Sequence, residues 1–177
     1  QNNTDSPIFM YFALYQVLEY YFPIYSTVEV KTRIQNLMKD PRFNINKDED
    51  VVRLLNIMNT NSAKAVGDEQ EQLGNVLRHI VTGEEIINFI VERDYLKNYY
   101  TEKTSNKLSE KALRLTDKLG IVSDVSSRIY DIRCRIVHNK ASETHKKILP
   151  ITKEADYLRF EIELLKFISQ KAIISNS

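Results

Sequence analysis

The residues of this sequence that are best suited to chemistry are Arg133 and His138, which are separated by four residues. Histidine titrates near neutral pH, so it can give or take a proton under ordinary conditions. Arginine stays charged and presents a fork of donors that fits the oxygens of a phosphate group. The pair therefore predicts proton transfer beside a bound phosphate. The alternative is structural. The arginine would then pair with a carboxylate, such as Asp131, Glu19 or one on another helix, and the histidine would only end a helix.

The element that must position this pair is an amphipathic helix. Its apolar residues recur at helical spacing: Val125, Ile129, Ile132 and Ile136. In a regular helix, residues five apart lie about 140° apart around the axis and about 7.5 Å apart along it. The two candidate side chains therefore do not share a face. Either the helix ends or deforms before His138, or a second subunit completes the cleft.

Positive charge is concentrated around the pair. Between Arg128 and Lys147, six basic and two acidic residues give a net charge of +4 by count. The six are Arg128, Arg133, Arg135, Lys140, Lys146 and Lys147. This excess favours attraction to a nucleic-acid backbone, and a solvated loop beside a helix C-terminus explains the lysines equally well. Arg133 and His138 are both expected at the surface, where a substitution costs about 0.5 kcal/mol or less.

The composition of the whole chain predicts an all-α fold. Four glycines and four prolines in 177 residues are too few for the many turns of a sandwich or barrel. The hydrophobic share of 42% and the charged share of 28% are typical of a folded globular domain. A formal net charge of +1 means that any basic surface must be local. A single cysteine excludes an internal disulfide framework and a multi-cysteine zinc site, and it suits a reducing compartment.

Apolar spacing and residues typical of helix ends predict a bundle of about five to seven helices, in one domain over residues 1–177. The pair Ser6–Pro7 starts the first helix, and Pro23 kinks or ends it. This helix is apolar at almost every position over 8–22, so we expect it to be wrapped on most sides. It is too short to span a membrane. Asp40–Pro41 closes the second helix, because a residue before proline avoids the helical conformation.

Further helices are predicted at 25–38, 48–58, 70–81, 82–100 and 111–119, and a last one opens at Pro150 and Thr152. Loops are predicted at 42–46, 59–68, 101–110 and 140–149. Thr82 and Glu85 match a capping box, so a helix restarts there unless Gly83 is tolerated inside one long helix. Gly120 is predicted to end the 111–119 helix, and Ser123 to cap the helix that carries Arg133.

A family resemblance is carried by the end of that helix, in the pattern Ile132-Arg133-x-x-Ile136-Val137-His138-Asn139. The pattern resembles the motif of the HEPN superfamily of helical nucleotide-binding domains, in which an arginine is followed after four to six residues by a histidine. The match covers about twenty residues of the chain. Many members of the superfamily are metal-independent endoribonucleases of toxin, CRISPR and anti-phage systems. The residue after the arginine, commonly polar in that family, is Cys134 here.

The resemblance implies that the chain cuts RNA without a metal ion. His138 would transfer a proton at the 2′-hydroxyl or at the leaving oxygen, and Arg133 would stabilise the charge on the phosphate. The polar neighbours of the pair are assigned to substrate binding: Arg135, Asn139 and Lys140. Two further residues are assigned supporting roles: Glu19 and Cys134. Glu19 would orient the arginine or the histidine, or else form an ordinary ion pair between helices.

The resemblance also implies a homodimer, because HEPN nucleases generally place two motifs face to face across a two-fold axis. RNA is the expected partner, in a cytoplasmic bacterial defence or toxin system, with no cofactor, metal or membrane. Because the chain begins with Gln1 rather than Met, we expect a fragment or a processed product of a longer chain, with a partner or fused sensor domain. The alternatives are a HEPN-like module that dimerises or binds RNA without cutting it, and an unrelated helical scaffold.

The remaining histidines are weaker candidates. His79 lies on a predicted helix and is expected to be structural. His145 lies in the basic loop, where it is expected to be solvated or to contact a phosphate.

Overall fold

The computed structural model describes residues 6–64, 68–101, 108–109, 111–137 and 153–177. Within these ranges all regular secondary structure is helical, without a strand, and the prediction of an all-α bundle is confirmed. The helices are α1 (Pro7–Tyr20), α2 (Phe22–Lys39), α3 (Asp48–Lys64), α4 (Glu69–Ile80), α5 (Gly83–Val91), α6 (Asp94–Thr101), α7 (Ile121–Val137) and α8 (Lys153–Ile174).

Two helical regions are divided differently from the prediction. α3 continues to Lys64, so part of the loop predicted over 59–68 is helical. The segment 82–100 forms two short helices rather than one, because the chain turns at Glu92 and Arg93 before α6 begins. Asp94 in the first turn of α6 suits this restart, since a negative charge is favourable at a helix N-terminus.

The predicted helix over 111–119 is not present. Its described residues form turns instead, and Asp117 accepts hydrogen bonds from the backbone N–H groups of Leu119 and Gly120 at 3.2 and 2.8 Å. Such side-chain bonds compete with helix formation. Arg114 binds the Asp124 carboxylate through two contacts of 2.8 Å, which fixes these turns against α7. α7 therefore begins at Ile121, two residues before the predicted cap.

The capping box at the start of α5 is confirmed. The Thr82 hydroxyl accepts from the backbone N–H of Glu85 at 3.3 Å, and the Glu85 carboxylate accepts from the backbone N–H of Thr82 at 2.8 Å. The helix thus restarts after Thr82. Gly83 is required for packing, because a Cβ there would lie 1.9 Å from the carbonyl oxygen of Lys118.

The bundle is organised around two helix pairs. α1 has its most extensive contacts with α8, and α4 with α7, while α2 contacts both α3 and α4. α1 buries Tyr11, Tyr15 and Leu18 completely, but Phe9 and Tyr20 on its other side are 60% and 73% exposed. The expectation that α1 is wrapped on most sides is therefore wrong for its outer face. No helix in the described part of the chain is both long and apolar enough to cross a bilayer.

A buried ion pair connects α7 to α8. The side chains of Arg128 and Glu161 are 1% and 3% exposed, with Nη2 and Oε1 2.6 Å apart. The hydroxyls of Tyr99 and Tyr100 donate to the same carboxylate at 2.6 and 3.2 Å. Nη1 of the arginine donates to the carbonyl oxygen of Lys111 at 2.7 Å. One carboxylate and one guanidinium thereby tie together α6, α7, α8 and the turns that precede α7.

Candidate functional site

Arg133 lies between two carboxylates on other helices. Its Nη2 is 2.9 Å from Oε1 of Glu69 and 3.7 Å from Oε1 of Glu19. The Tyr15 hydroxyl donates to the same Glu69 oxygen at 3.0 Å, and its ring centroid lies 5.6 Å from the guanidinium carbon. We call these four residues the Arg133 cluster.

Three helices bring the cluster together. Tyr15 and Glu19 are four residues apart on α1, so both point to the same side of that helix. One turn earlier, the Tyr11 hydroxyl donates to the backbone carbonyl of Ile129 at 3.0 Å, which seats this side of α1 on α7. Glu69 lies in the first turn of α4, which runs antiparallel to α7. The three side chains thus meet at the C-terminal half of α7.

The cluster carries two potential negative charges and one positive charge. The pKa of Glu19 is raised, because the carboxyl is partly buried and because it is hydrogen-bonded to, and repelled by, the Glu69 carboxyl. Burial and the same neighbour raise the pKa of the Tyr15 hydroxyl. Within the cluster, the shorter of the two acidic contacts of the guanidinium is the one with Glu69, at 2.9 Å against 3.7 Å for Glu19.

Arg133 differs from the sequence expectation in one respect. Its side chain is 16% exposed, so it is not a surface arginine. Its Nε atom is buried and has no hydrogen-bond partner among the described residues. Of its acidic partners, Glu19 was a candidate from the sequence. Glu69 was missed, because nothing in the sequence indicates that the first turn of α4 reaches the end of α7.

Of the other candidate residues on or after α7, two are described by the structure and three are not. Arg135 is buried, 9% exposed, and its Nη1 donates to the carbonyl oxygen of Leu108. Cys134 is half-buried with a free thiol. Burial and a hydrogen bond with that thiol raise the pKa of Tyr130 to about 12. Three candidates lie outside the described residues: His138, Asn139 and Lys140.

The arginines that α7 contributes to the predicted excess of positive charge do not form a basic surface on this helix. Arg128, Arg133 and Arg135 all turn inward, where carboxylates or backbone carbonyls receive their donors. The three lysines of the count and His145 lie outside the described residues. Any attraction to a polyanion must therefore come from the segment after α7 or from basic residues elsewhere in the chain.

His79 has structural contacts. Its Nδ1 lies 2.7 Å from the backbone carbonyl of Asn75, and its ring packs on Tyr25 with centroids 5.0 Å apart. In the described ranges, no three His, Cys, Asp or Glu side chains come together in a way that could hold a metal ion.

Replacing Glu19 by glutamine is expected to raise the free energy of unfolding at pH 7 by up to about 1 kcal/mol. The raised pKa means that wild-type Glu19 contributes most stability while it is protonated, and that this contribution is lost as pH rises through its folded-state pKa. The gain of E19Q should therefore shrink towards zero near pH 4. Denaturant unfolding between about pH 4 and about pH 8 measures this difference.

The matched control is Glu29→Gln on α2. Glu29 is 28% exposed against 33% for Glu19, and it pairs with Arg33 at 3.0 Å, with no second acid among its contacts in the described ranges. E29Q should be neutral or lower stability slightly at pH 7, since it only removes a surface ion pair. If E19Q is no more stable than the wild-type protein at pH 7, as is expected for E29Q, the proposed repulsion between Glu19 and Glu69 is contradicted.

No family model, no curated protein and no solved structure matches this chain. The function must therefore be judged from the residues of the chain itself. The Arg133 cluster is the starting point, because Arg133 is five positions before the candidate histidine.

Proposed function

We propose that this chain is a metal-independent endoribonuclease of the HEPN type, in which Arg133 binds the scissile phosphate and His138 transfers a proton. The proposal rests on the hydrogen bonds and ion pairs of the Arg133 guanidinium. Two carboxylates orient it from one side, while its Nε–H donor is buried without a partner among the described residues. α7, which carries the held arginine, extends to Val137, the residue that precedes the candidate histidine in the sequence.

A purely structural ion pair gains nothing from an unpaired donor. A buried donor without an acceptor costs about 1–3 kcal/mol. A guanidinium that is already oriented and that keeps an unpaired donor supports a role at charge that develops during a reaction, and the buried Nε must be uncovered before an incoming oxygen can reach it. The low exposure of Arg133 strengthens any such contact, because fewer water molecules compete for it.

The chemistry requires three groups. A base removes the proton of the 2′-hydroxyl, whose oxygen attacks the neighbouring phosphorus. An acid protonates the 5′-oxygen as its bond to phosphorus breaks, and a cation stabilises the additional negative charge on the phosphate. The products are a 2′,3′-cyclic phosphate and a 5′-hydroxyl. His138 serves as base or acid, and Arg133 is the cation.

One chain supplies one such histidine, and residues five apart on a helix face different ways. We therefore propose a homodimer in which each cleft takes groups from both chains. The exposed apolar side chains Phe9 and Tyr20 on α1 are available for this contact. The unpaired thiol of Cys134 suits a cytoplasmic location, and a bacterial defence or toxin system is the setting that the family resemblance implies.

A HEPN-like module that binds RNA or dimerises without cutting is the second candidate. It is favoured by the 2.9 Å contact between Arg133 and Glu69, because a phosphate must compete with that carboxylate for the same donor.

Purified protein is expected to cut single-stranded RNA in the presence of a chelator, leaving 2′,3′-cyclic phosphate ends. End analysis by mass spectrometry identifies the products. RNA binding without cutting would support the second candidate instead. Activity that a chelator abolishes and a divalent cation restores would overturn the metal-independent mechanism.

A further inference from the structure

A polar groove of about 350 Å³ runs between α4 and α7. Its size falls in the range of about 300–1,000 Å³ that is typical of small-molecule sites. Arg78 and Gly74 of α4 line one end together with Ser123 and Ser126 of α7. The groove is separate from the Arg133 cluster but follows the same pair of helices.

The Arg78 end of the groove has donors without partners. The guanidinium is exposed and makes no ion pair with a described residue; its one hydrogen bond goes to the Asn75 side chain. Ser126 is 4% exposed, and its hydroxyl has no hydrogen-bond partner in the described structure. A Cβ on Gly74 would lie 3.2 Å from Nη1 of Arg78 and 3.5 Å from Oγ of Ser126. Without a side chain at Gly74, the guanidinium and the hydroxyl lie close together, and both residues line the groove.

The opposite end of the groove is lined by neutral polar and acidic side chains. Nε2 of Gln70 donates to Oγ of Ser127 at 3.1 Å. Asp68 and Glu71 also line this end, and the Asp68 carboxylate accepts from the backbone N–H of Glu71 at 3.1 Å. Carboxylates repel a phosphate but accept hydrogen bonds from hydroxyl and amino groups. The groove is therefore polarised along its length, with one end suited to phosphate and the other to a sugar or base.

One end of the groove is next to the Arg133 cluster along both helices. Ser126 and Arg133 are seven residues apart, so they lie on the same side of α7, about 10 Å apart along its axis. On α4, Gln70 directly follows Glu69, the carboxylate that holds Arg133. A strand whose scissile phosphate lies at Arg133 can therefore continue along the groove towards Arg78.

We propose that this groove binds one nucleotide of the RNA strand, with its phosphate at Arg78 and Ser126 and its sugar and base towards Gln70 and Ser127. The inference rests on the proposed function, because it assigns the groove to the strand that Arg133 holds. The ligand chemistry is that of a nucleoside phosphate, and a free nucleotide is the other source of the same chemistry.

The test is RNA binding by protein that also carries His138→Ala, so that cleavage does not interfere. Fluorescence anisotropy with a labelled single-stranded oligoribonucleotide should show at least about a fivefold loss of affinity for Arg78→Ala, since a hydrogen bond to a charged group is removed. Ser126→Ala should weaken binding by about threefold and leave the thermal midpoint unchanged, because its hydroxyl has no partner to lose in the free protein.

Two matched controls accompany these variants. Arg159 is an exposed arginine on α8, and Arg159→Ala should bind RNA like the parent protein. Ser169 is a buried serine whose hydroxyl donates to the Leu165 carbonyl at 2.8 Å. Ser169→Ala should lower the thermal midpoint and leave the affinity for RNA unchanged.

The outcomes separate the groove from the proposed function. If R78A and S126A bind RNA like the parent, the groove inference is overturned, whether or not the wild-type protein cuts RNA. A second outcome is that the wild-type protein binds a free 5′-mononucleotide and that R78A loses this binding but keeps its affinity for RNA. That outcome would overturn the assignment of the groove to the RNA strand. Loss of RNA affinity in R78A and S126A, in a wild-type protein that does not cut RNA, would support the groove and overturn the nuclease.

Discussion

Replacing His138 by alanine is expected to lower the rate of RNA cleavage by about 10²–10⁴-fold, the usual contribution of a positioned acid or base. The reason is that none of the side chains in contact with Arg133 among the described residues is an imidazole, so the proposed proton transfer rests on His138. Single-turnover cleavage of a labelled RNA in chelator at pH 7 measures the loss.

The matched control is His145→Ala, which makes the same chemical change in the same segment of the sequence. H145A should retain cleavage within a few-fold, and neither variant should change the thermal midpoint by more than a few degrees. Cleavage by H138A at the rate of H145A would contradict the role given to His138.

The same variant tests the shared cleft. Arg133→Lys keeps a positive charge between Glu19 and Glu69 but loses the planar fork, so it should fold and cut poorly. Mixing H138A with R133K should restore part of the activity, because a mixed dimer has one cleft with an intact arginine and an intact histidine. A protein that sediments as a monomer while it cuts RNA would contradict this arrangement.

Arg128→Met is expected to lower the free energy of unfolding by about 3–5 kcal/mol, the cost of leaving a buried charge without its partner. Glu161 is 3% exposed. Of the donors named for its carboxylate, only the hydroxyls of Tyr99 and Tyr100 on α6 would remain. The turns before α7 would also lose the hydrogen bond to the Lys111 carbonyl. Urea unfolding followed by circular dichroism measures the change.

Two further variants keep this prediction decisive. Arg128→Met combined with Glu161→Leu should recover a large part of the loss, since replacing both members of a buried pair removes the uncompensated charge. Arg33→Met on α2 breaks an exposed pair with Glu29 and should cost no more than about 1 kcal/mol. A single R128M variant as stable as R33M would show that Arg128 does not hold the bundle together.

Local signals in the sequence were sufficient for the helix class and for several helix ends. Pro7 opens α1, and Asp40 before Pro41 has the extended backbone that closes α2. The capping box of Thr82 and Glu85 starts α5. Each of these signals depends on residues within one turn of each other, so it can be seen without knowledge of the fold. The segment 111–119 shows the limit, because contacts with Asp124 and the competing bonds of Asp117 replaced the predicted helix.

The sequence by itself determined that Arg133 lies on an amphipathic helix five positions before His138, and that Glu19 was a candidate to pair with it. Only the tertiary structure decided which arginines of α7 are buried and which acids receive them. Glu69 lies 64 positions before Arg133, and Glu161 lies 33 positions after Arg128, so no local spacing connects either pair. Helical periodicity specifies the direction of a side chain on its own helix. The partner on the other side depends on how α1, α4 and α8 pack around α7, which is a property of the whole bundle.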